Sequence, residues 1–238
     1  MPLEAVPAAA SGVFGPRLPL AEQFALLLAV DGVTRGLIGP REPERLWTRH
    51  LLNCAAITEL FHPAARVVDV GSGAGLPGLV IAIQRPDVRV DLVEPLQRRV
   101  DFLSFAVREL GFGERVQVIR GRAEDVHVIS SVGAASWVTA RAVAPLDRLA
   151  AWCFPLLADG GSLAAIKGSG AAGELAKNRA GLERLGATNA HIVECGLGLI
   201  EPALTVVVVE SRATSRRKSA RTKEADGAIA DACHATGR

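Results

Sequence analysis

The stretch RVVDVGSGAGLPG, residues 66–78, constrains this chain more than any other. Val67, Val68 and Val70 are β-branched strand formers and run directly into Gly71, Gly73 and Gly75. Pro77 comes next, and then a helical stretch begins. A strand that feeds a glycine turn and then a helix lets backbone approach a ligand, because glycine carries no Cβ. The N–H groups at the start of the following helix add donors to such a turn.

Strand and helix go on alternating through the rest of the chain. RVVDV is the first strand, with LPGLVIAIQ as its helix. VRVDLVE (88–94), RVQVIRG (115–121), SWVTAR (136–141) and SLAAIKG (162–168) read as strands two to five. Helices are expected over 96–110 and over 145–158, the latter stopped by Gly160-Gly161, and over 174–186. Residues 190–195 and 203–210 read as two last strands with a loop but no helix between them. Alternation of this kind predicts an α/β fold with a mostly parallel, seven-stranded sheet wrapped on both faces. The closely coupled final pair predicts an antiparallel last strand. Ahead of the sheet, residues 18–30 and 43–60 read as amphipathic helices. In the second, Leu46, His50, Cys54 and Ile57 form one stripe.

The domain reading is an irregular stretch over 1–17, one domain over 18–210 with a helical extension at 18–62, and a basic, disordered tail over 211–238. The tail holds seven of the 27 Lys and Arg residues and three of the 25 acids, so the other 210 residues carry 20 basic and 22 acidic groups. Basic excess is therefore local. Cys54, Cys153, Cys195 and Cys233 lie too far apart in sequence for zinc-ligand spacing, and no metal is expected. The opening residues lack a basic start followed by an apolar core, and no stretch reads as a membrane span. The chain is expected to be soluble and cytoplasmic, with reduced cysteines.

The ligand class is set by what the glycine turn lacks. A dinucleotide fingerprint needs a third glycine where Leu76 stands. A phosphate loop needs a GK[ST] run, and the turn has none. Asp69, at the end of the first strand, suits an ammonium or sulfonium group better than a pyrophosphate. Glu94 ends the second strand and is placed to accept ribose hydroxyls. Glu124, beside Ala123 in the run GRAED, comes after the third strand near the place of an adenine. Acids and glycines at three successive strand ends point to S-adenosylmethionine, contacted by Asp69, Gly71, Gly73, Gly75, Glu94, Ala123 and Glu124.

DVGSGAGLPG, LQRRVDFL, GRAED, ARAVAPL and AIKG, in this order, resemble the RsmG (GidB) family, as does Arg49-His50-Leu51-Leu52-Asn53-Cys54, where the family has Asp and Ser at the last two places. The similarity runs from about Arg45 to Glu210. It implies a Rossmann-like methyltransferase fold and methyl transfer from S-adenosylmethionine to guanine N7 in small-subunit (16S) ribosomal RNA. It further implies cofactor contacts at Gly71, Leu76, Ala123, Glu124 and Arg141, with the ribose at Glu94. Guanine N7 has an in-plane lone pair and no hydrogen, so no general base is required. Arg141 and Lys167, at the ends of strands four and five, are the candidate catalytic residues, acting by positioning. Arg120, Arg122 and the tail cluster Arg216-Arg217-Lys218 are candidate RNA phosphate contacts. His50, Cys54, Trp47 and Trp152 read as structural, and Arg98, Arg99 and Arg108 as a solvated helix face. Rival readings are an S-adenosylmethionine enzyme for another RNA, a protein or a small molecule; a non-catalytic RNA-binding protein; and a nicotinamide oxidoreductase.

Overall fold

The structure is a computed structural model and describes residues 2–141 and 144–212. Helices α1 (Ala8–Phe14), α2 (Leu18–Leu27) and α3 (Leu52–Ala56) precede strand β1 (Arg66–Val70). Then come α4 (Gly78–Gln84), β2 (Arg89–Glu94), α5 (Gln97–Glu109), β3 (Val116–Arg120), α6 (Val126–Val132) and β4 (Ala135–Arg141). The chain closes with α7 (Leu146–Cys153), β5 (Leu157–Ile166), α8 (Ala171–Arg184), β6 (Ala187–Cys195) and β7 (Leu204–Ser211).

The seven strands form one sheet in the order β3-β2-β1-β4-β5-β7-β6. The first five are mutually parallel. As expected, β7 is antiparallel, and it inserts between β5 and β6. Period-two alternation sends neighbouring residues to opposite faces. Val67, Leu92, Ala164 and Val206 pack with the N-terminal helices, α4 and α5. Val68, Val93, Ala165 and Val207 pack with α6, α7 and α8. Each of these fully buried valines and leucines contributes about 1.5–3 kcal/mol of transfer free energy. The order reverses between β1 and β4, which opens a crevice beyond their carboxyl ends.

Several sequence expectations change. Residues 1–17 are not irregular throughout: α1 buries Ala10 and Phe14, and a 3-10 turn covers Gly15–Arg17. Helical structure then runs on without a gap, so Ala8–Gly32 is 25 residues long and apolar enough to cross a membrane by length and composition. Pro16 and Pro19 hide this continuity in the sequence, but both sit in first helical turns, where proline costs no hydrogen bond. One face of the run, including Phe14, Phe24 and Leu28, lies in the core. The helix expected over 43–60 is broken into 3-10, π and α turns. Gly160-Gly161 does not stop a helix; α7 ends at Cys153, and both glycines lie inside β5, where a Cβ on Gly161 would meet backbone oxygens of β4 and β5. Helix α6 carries no clear period and was not expected. Of the expected tail, residues 213–238 lie outside the described residues, as do Arg216, Arg217, Lys218 and Cys233.

Candidate functional site

The glycine turn after β1 is held by its own backbone and by two buried acids. Gly71 N donates to Val93 O at 2.8 Å, which ties the turn to β2. Gly73 N donates to Glu94 Oε2 at 3.0 Å, and Leu96 N to Glu94 Oε1 at 3.0 Å. Glu94 thus fixes both the turn and the start of α5. Arg99 Nη1 reaches the same carboxylate at 3.5 Å, so this arginine is not merely part of a solvated face.

Together these elements enclose a cavity of about 600 Å³ over the ends of β1, β2 and β3. Its lining includes Gly71, Gly73, Leu76, Glu94, Ala123 and Glu124, all expected, and Arg141 on the β4 side. Leu37, Ile38 and His50 of the N-terminal segment close it from above, and Arg99, Arg122 and Trp152 complete it. Leu37, Ile38 and Trp152 carry no motif; they reach the cavity through packing that no local pattern records. Arg120 is not among the lining residues, and Ala142 lies outside the described residues.

Three expected contacts belong elsewhere. Asp69 is 1% exposed and turns beneath the glycine loop, where its Oδ2 accepts from Gly78 N at 2.9 Å. Burial pushes its carboxyl up to about 7, and Gly78 N works against that shift. An acid capping α4 from below cannot face a sulfonium in the cavity. Gly75 is likewise a packing position: its φ is +88°, and a Cβ there would come within 2.7 Å of Leu79 Cγ. Lys167 lines neither the cavity nor the recess beside it. Its Nζ donates to Ala144 O at 3.0 Å and to Glu174 Oε1 at 2.9 Å, bracing the segment after β4 against α8.

Arg141 has the most informative surroundings. Its Nη2 donates to His50 Nδ1 at 2.9 Å and its Nη1 to Cys54 Sγ at 3.3 Å. His50 Nε2 lies 2.6 Å from Glu42 Oε2. A guanidinium can only donate, so Nδ1 accepts, and the proton resides on Nε2 and is given to Glu42. Burial lowers the His50 pKa, opposed by the hydrogen bond to Glu42 and assisted by the charge of Arg141. Burial raises that of Glu42, but hydrogen bonds from Arg45 and His50 outweigh it and hold it at about 2. Burial also keeps the Cys54 thiol protonated, as its pKa is raised. The result is a chain from an ionised Glu42 through a neutral His50 to Arg141.

A mostly parallel sheet with its glycine turn and acid-tipped second strand around a nucleoside-sized cavity defines an S-adenosylmethionine-dependent methyltransferase fold. Solved structures agree. The chain is similar to a protein from Methanococcus maripaludis assigned as an S-adenosyl-L-methionine-dependent methyltransferase, at TM-score 0.53 and 12% identity over 91% of this chain and 99% of that one. It is also similar to an assigned O-methyltransferase from Agrobacterium tumefaciens, at TM-score 0.52 and 17% identity, covering 68% and 80%.

Sequence comparison narrows the class. The family model GidB, rRNA small subunit methyltransferase G, matches residues 17–205. Proteins named ribosomal RNA small subunit methyltransferase G are 53% identical in Salinispora arenicola, over 92% of this chain and 96% of the relative, and 54% identical in Rhodococcus jostii, over 89% and 92%. The Mycolicibacterium smegmatis relative is 51% identical over 94% and 95%. The chain belongs to the GidB family, and its cofactor is S-adenosylmethionine.

The cavity fits that molecule. Gly71 and Gly73 put no side chain into it, and Leu76, Leu96 and Ala123 give it apolar walls. The Glu94 carboxylate has about four acceptor positions; two take backbone N–H groups and Arg99 reaches it at 3.5 Å, which leaves one for a ribose hydroxyl. Among the described residues no group of three or more His, Cys, Asp or Glu could hold a metal ion.

Proposed function

We propose that this protein is a cytoplasmic enzyme that methylates N7 of a guanine in 16S ribosomal RNA, on or near the small subunit. The observation that carries this reading is the position of Arg141 on the wall of the cofactor cavity, held on one side by His50 and Cys54. The cofactor supplies an electrophilic methyl on a sulfonium. With the cofactor held by Glu94 and the glycine turn, the N7 lone pair would take that methyl as the S–C bond breaks, the sulfur keeping the bonding pair and the purine the positive charge. No proton is removed, so the site needs no base, and His50 is committed to Arg141.

The work of the protein is then orientation. Guanine presents N7 and O6 as adjacent acceptors, and arginine is the side chain that most often reads that edge. Arg141 uses two of its five N–H groups on His50 and Cys54, which leaves donors for O6. Bound at O6 alone, it turns N7 towards the methyl without occupying the lone pair. Arg122, on the cavity wall, suits a phosphate contact at the rim. The test is mass spectrometry of 16S ribosomal RNA from cells without the protein. Loss of one 7-methylguanosine, restored by the intact gene, is the expected result; an unchanged modification pattern refutes the assignment.

A further inference from the structure

A second recess adjoins the cofactor cavity at Arg141. It measures about 170 Å³ and is lined by Arg49, Asn53, Cys54, Arg141, Ile166 and Leu204. Ile166 ends β5 and Leu204 begins the antiparallel β7, so both stand at the same sheet edge as the end of β4. Arg49, Asn53 and Cys54 come from the N-terminal helices and roof it. The cofactor cavity covers the ends of β1 to β3, and this recess covers the ends of β4, β5 and β7. Among the described residues, Arg141 is the one that lines both.

We propose that this recess is the pocket for the target guanine base, extruded from its RNA strand. The proposal rests on the reading that guanine N7 is the methyl acceptor. Ile166, Leu204 and the neutral Cys54 thiol supply apolar walls for a flat heterocycle, and the volume suits one base rather than a nucleotide. The polar groups match guanine in the order its edge presents them. Arg141 borders both the recess and the cofactor cavity and offers donors to O6. Asn53 Nδ2 is already given to Thr48 O at 2.7 Å, which fixes the amide and leaves its Oδ1 as an acceptor for N1–H or the N2 amino group. Adenine inverts both requirements, with an amino donor in place of O6 and a bare acceptor at N1. Arg49, its side chain 54% exposed and 3.8 Å from Glu42, stands at the mouth where a phosphate must pass. A base in the recess that gives O6 to Arg141 then holds N7 beside the guanidinium, with its lone pair free for the methyl.

The test compares wild-type protein, Asn53→Leu and Ile166→Trp on small ribosomal subunits purified from cells lacking the enzyme. Methyl transfer is followed kinetically, and affinity for S-adenosylhomocysteine is measured by calorimetry. Asn53→Leu removes the acceptor at similar volume, and Ile166→Trp fills the recess from a half-buried position. Both are expected to lower kcat/KM by about 10- to 100-fold, with cofactor-product affinity within about twofold of wild type. Unchanged kcat/KM in both variants overturns the pocket assignment. So does a parallel loss of cofactor-product affinity, which would make the recess part of the cofactor site. Wild-type protein that binds the cofactor product but labels no small subunit refutes the function reading instead.

Discussion

Arg141 Nη2 and His50 Nδ1 meet at 2.9 Å, and together with the Arg141 Nη1 bond to Cys54 Sγ this joins the end of β4 to the N-terminal helices beside the cofactor cavity. The sheet alone places the arginine at the ligand edge; the helices decide where its guanidinium points. Replacing Arg141 with Ala is expected to lower kcat/KM for methyl transfer by about 100-fold, the scale of misplacing a reacting group. Arg141→Lys should recover little. A lysine presents a point charge on a flexible stem and cannot hold the planar fork that serves Cys54, His50 and a base together. Steady-state kinetics beside circular dichroism check both; near-normal turnover by a folded Arg141→Ala protein excludes the role.

His50 should set the acid limit of activity. Burial lowers its pKa from 6.5, and the groups facing it are Glu42, Arg49 and Arg141. Protonation places a second N–H against Arg141 and ends its role as acceptor. Because the folded value lies below the unfolded one, the unfolded chain binds the proton first, and stability falls as pH drops below about 6.5. kcat/KM is expected to fall in a limb below that pH. His50→Gln, which can accept and donate but does not titrate, should flatten the limb while retaining measurable turnover. An identical limb in His50→Gln would assign it to another group.

How much of this was legible beforehand depends on whether a residue acts through its local pattern or through distant packing. The strand–helix alternation carried the sheet, because period-two and helical stripes are set by neighbours in the chain. Glu94 and Ala123-Glu124 reached the cavity as expected, since a residue at the carboxyl end of a parallel strand has its position set by the sheet. Asp69 did not, because the sequence places its Cα at the same edge but not its rotamer, and the unpaired Gly78 N beneath the turn took the carboxylate. Lys167 failed for a similar reason, captured by Glu174 one helix away. The stripe of His50 and Cys54 was visible as one helix face; that both would touch Arg141, 91 and 87 positions on, was not.

Asp69 should leave a trace in the pH dependence of stability. Its carboxyl titrates at about 7 in the folded chain and near 3.8 when freed, with burial as the first cause. The folded state therefore holds a proton that the unfolded state has lost between those values. Stability from this group is full below pH 3.8 and declines as pH rises towards 7. Asp69→Asn keeps an acceptor for Gly78 N and removes the ionisation. Urea titrations from pH 4.5 to 7.5 are expected to show a smaller decline for the variant than for the wild type. Parallel curves would show that the carboxyl does not change its proton between folded and unfolded states in this range.

Gly78 should tolerate no side chain. A Cβ there would collide with a Leu92 methyl and approach Asp69 Oδ2 to 2.6 Å. Both neighbours are fixed, Leu92 within β2 and Asp69 by its bond to Gly78 N. Gly78→Ala is expected to cost about 1–3 kcal/mol by overpacking. It should also weaken cofactor binding, because the displaced acid and the glycine turn move together. Gly173, in α8, has no atom within 4 Å of an added Cβ and makes the matched control. Gly173→Ala should hold or raise stability, since alanine is the better helix former by about 1 kcal/mol. Urea midpoints and calorimetric titration with S-adenosylhomocysteine separate the two outcomes, and equal behaviour of both variants would mean that the packing beneath the turn is loose enough to yield.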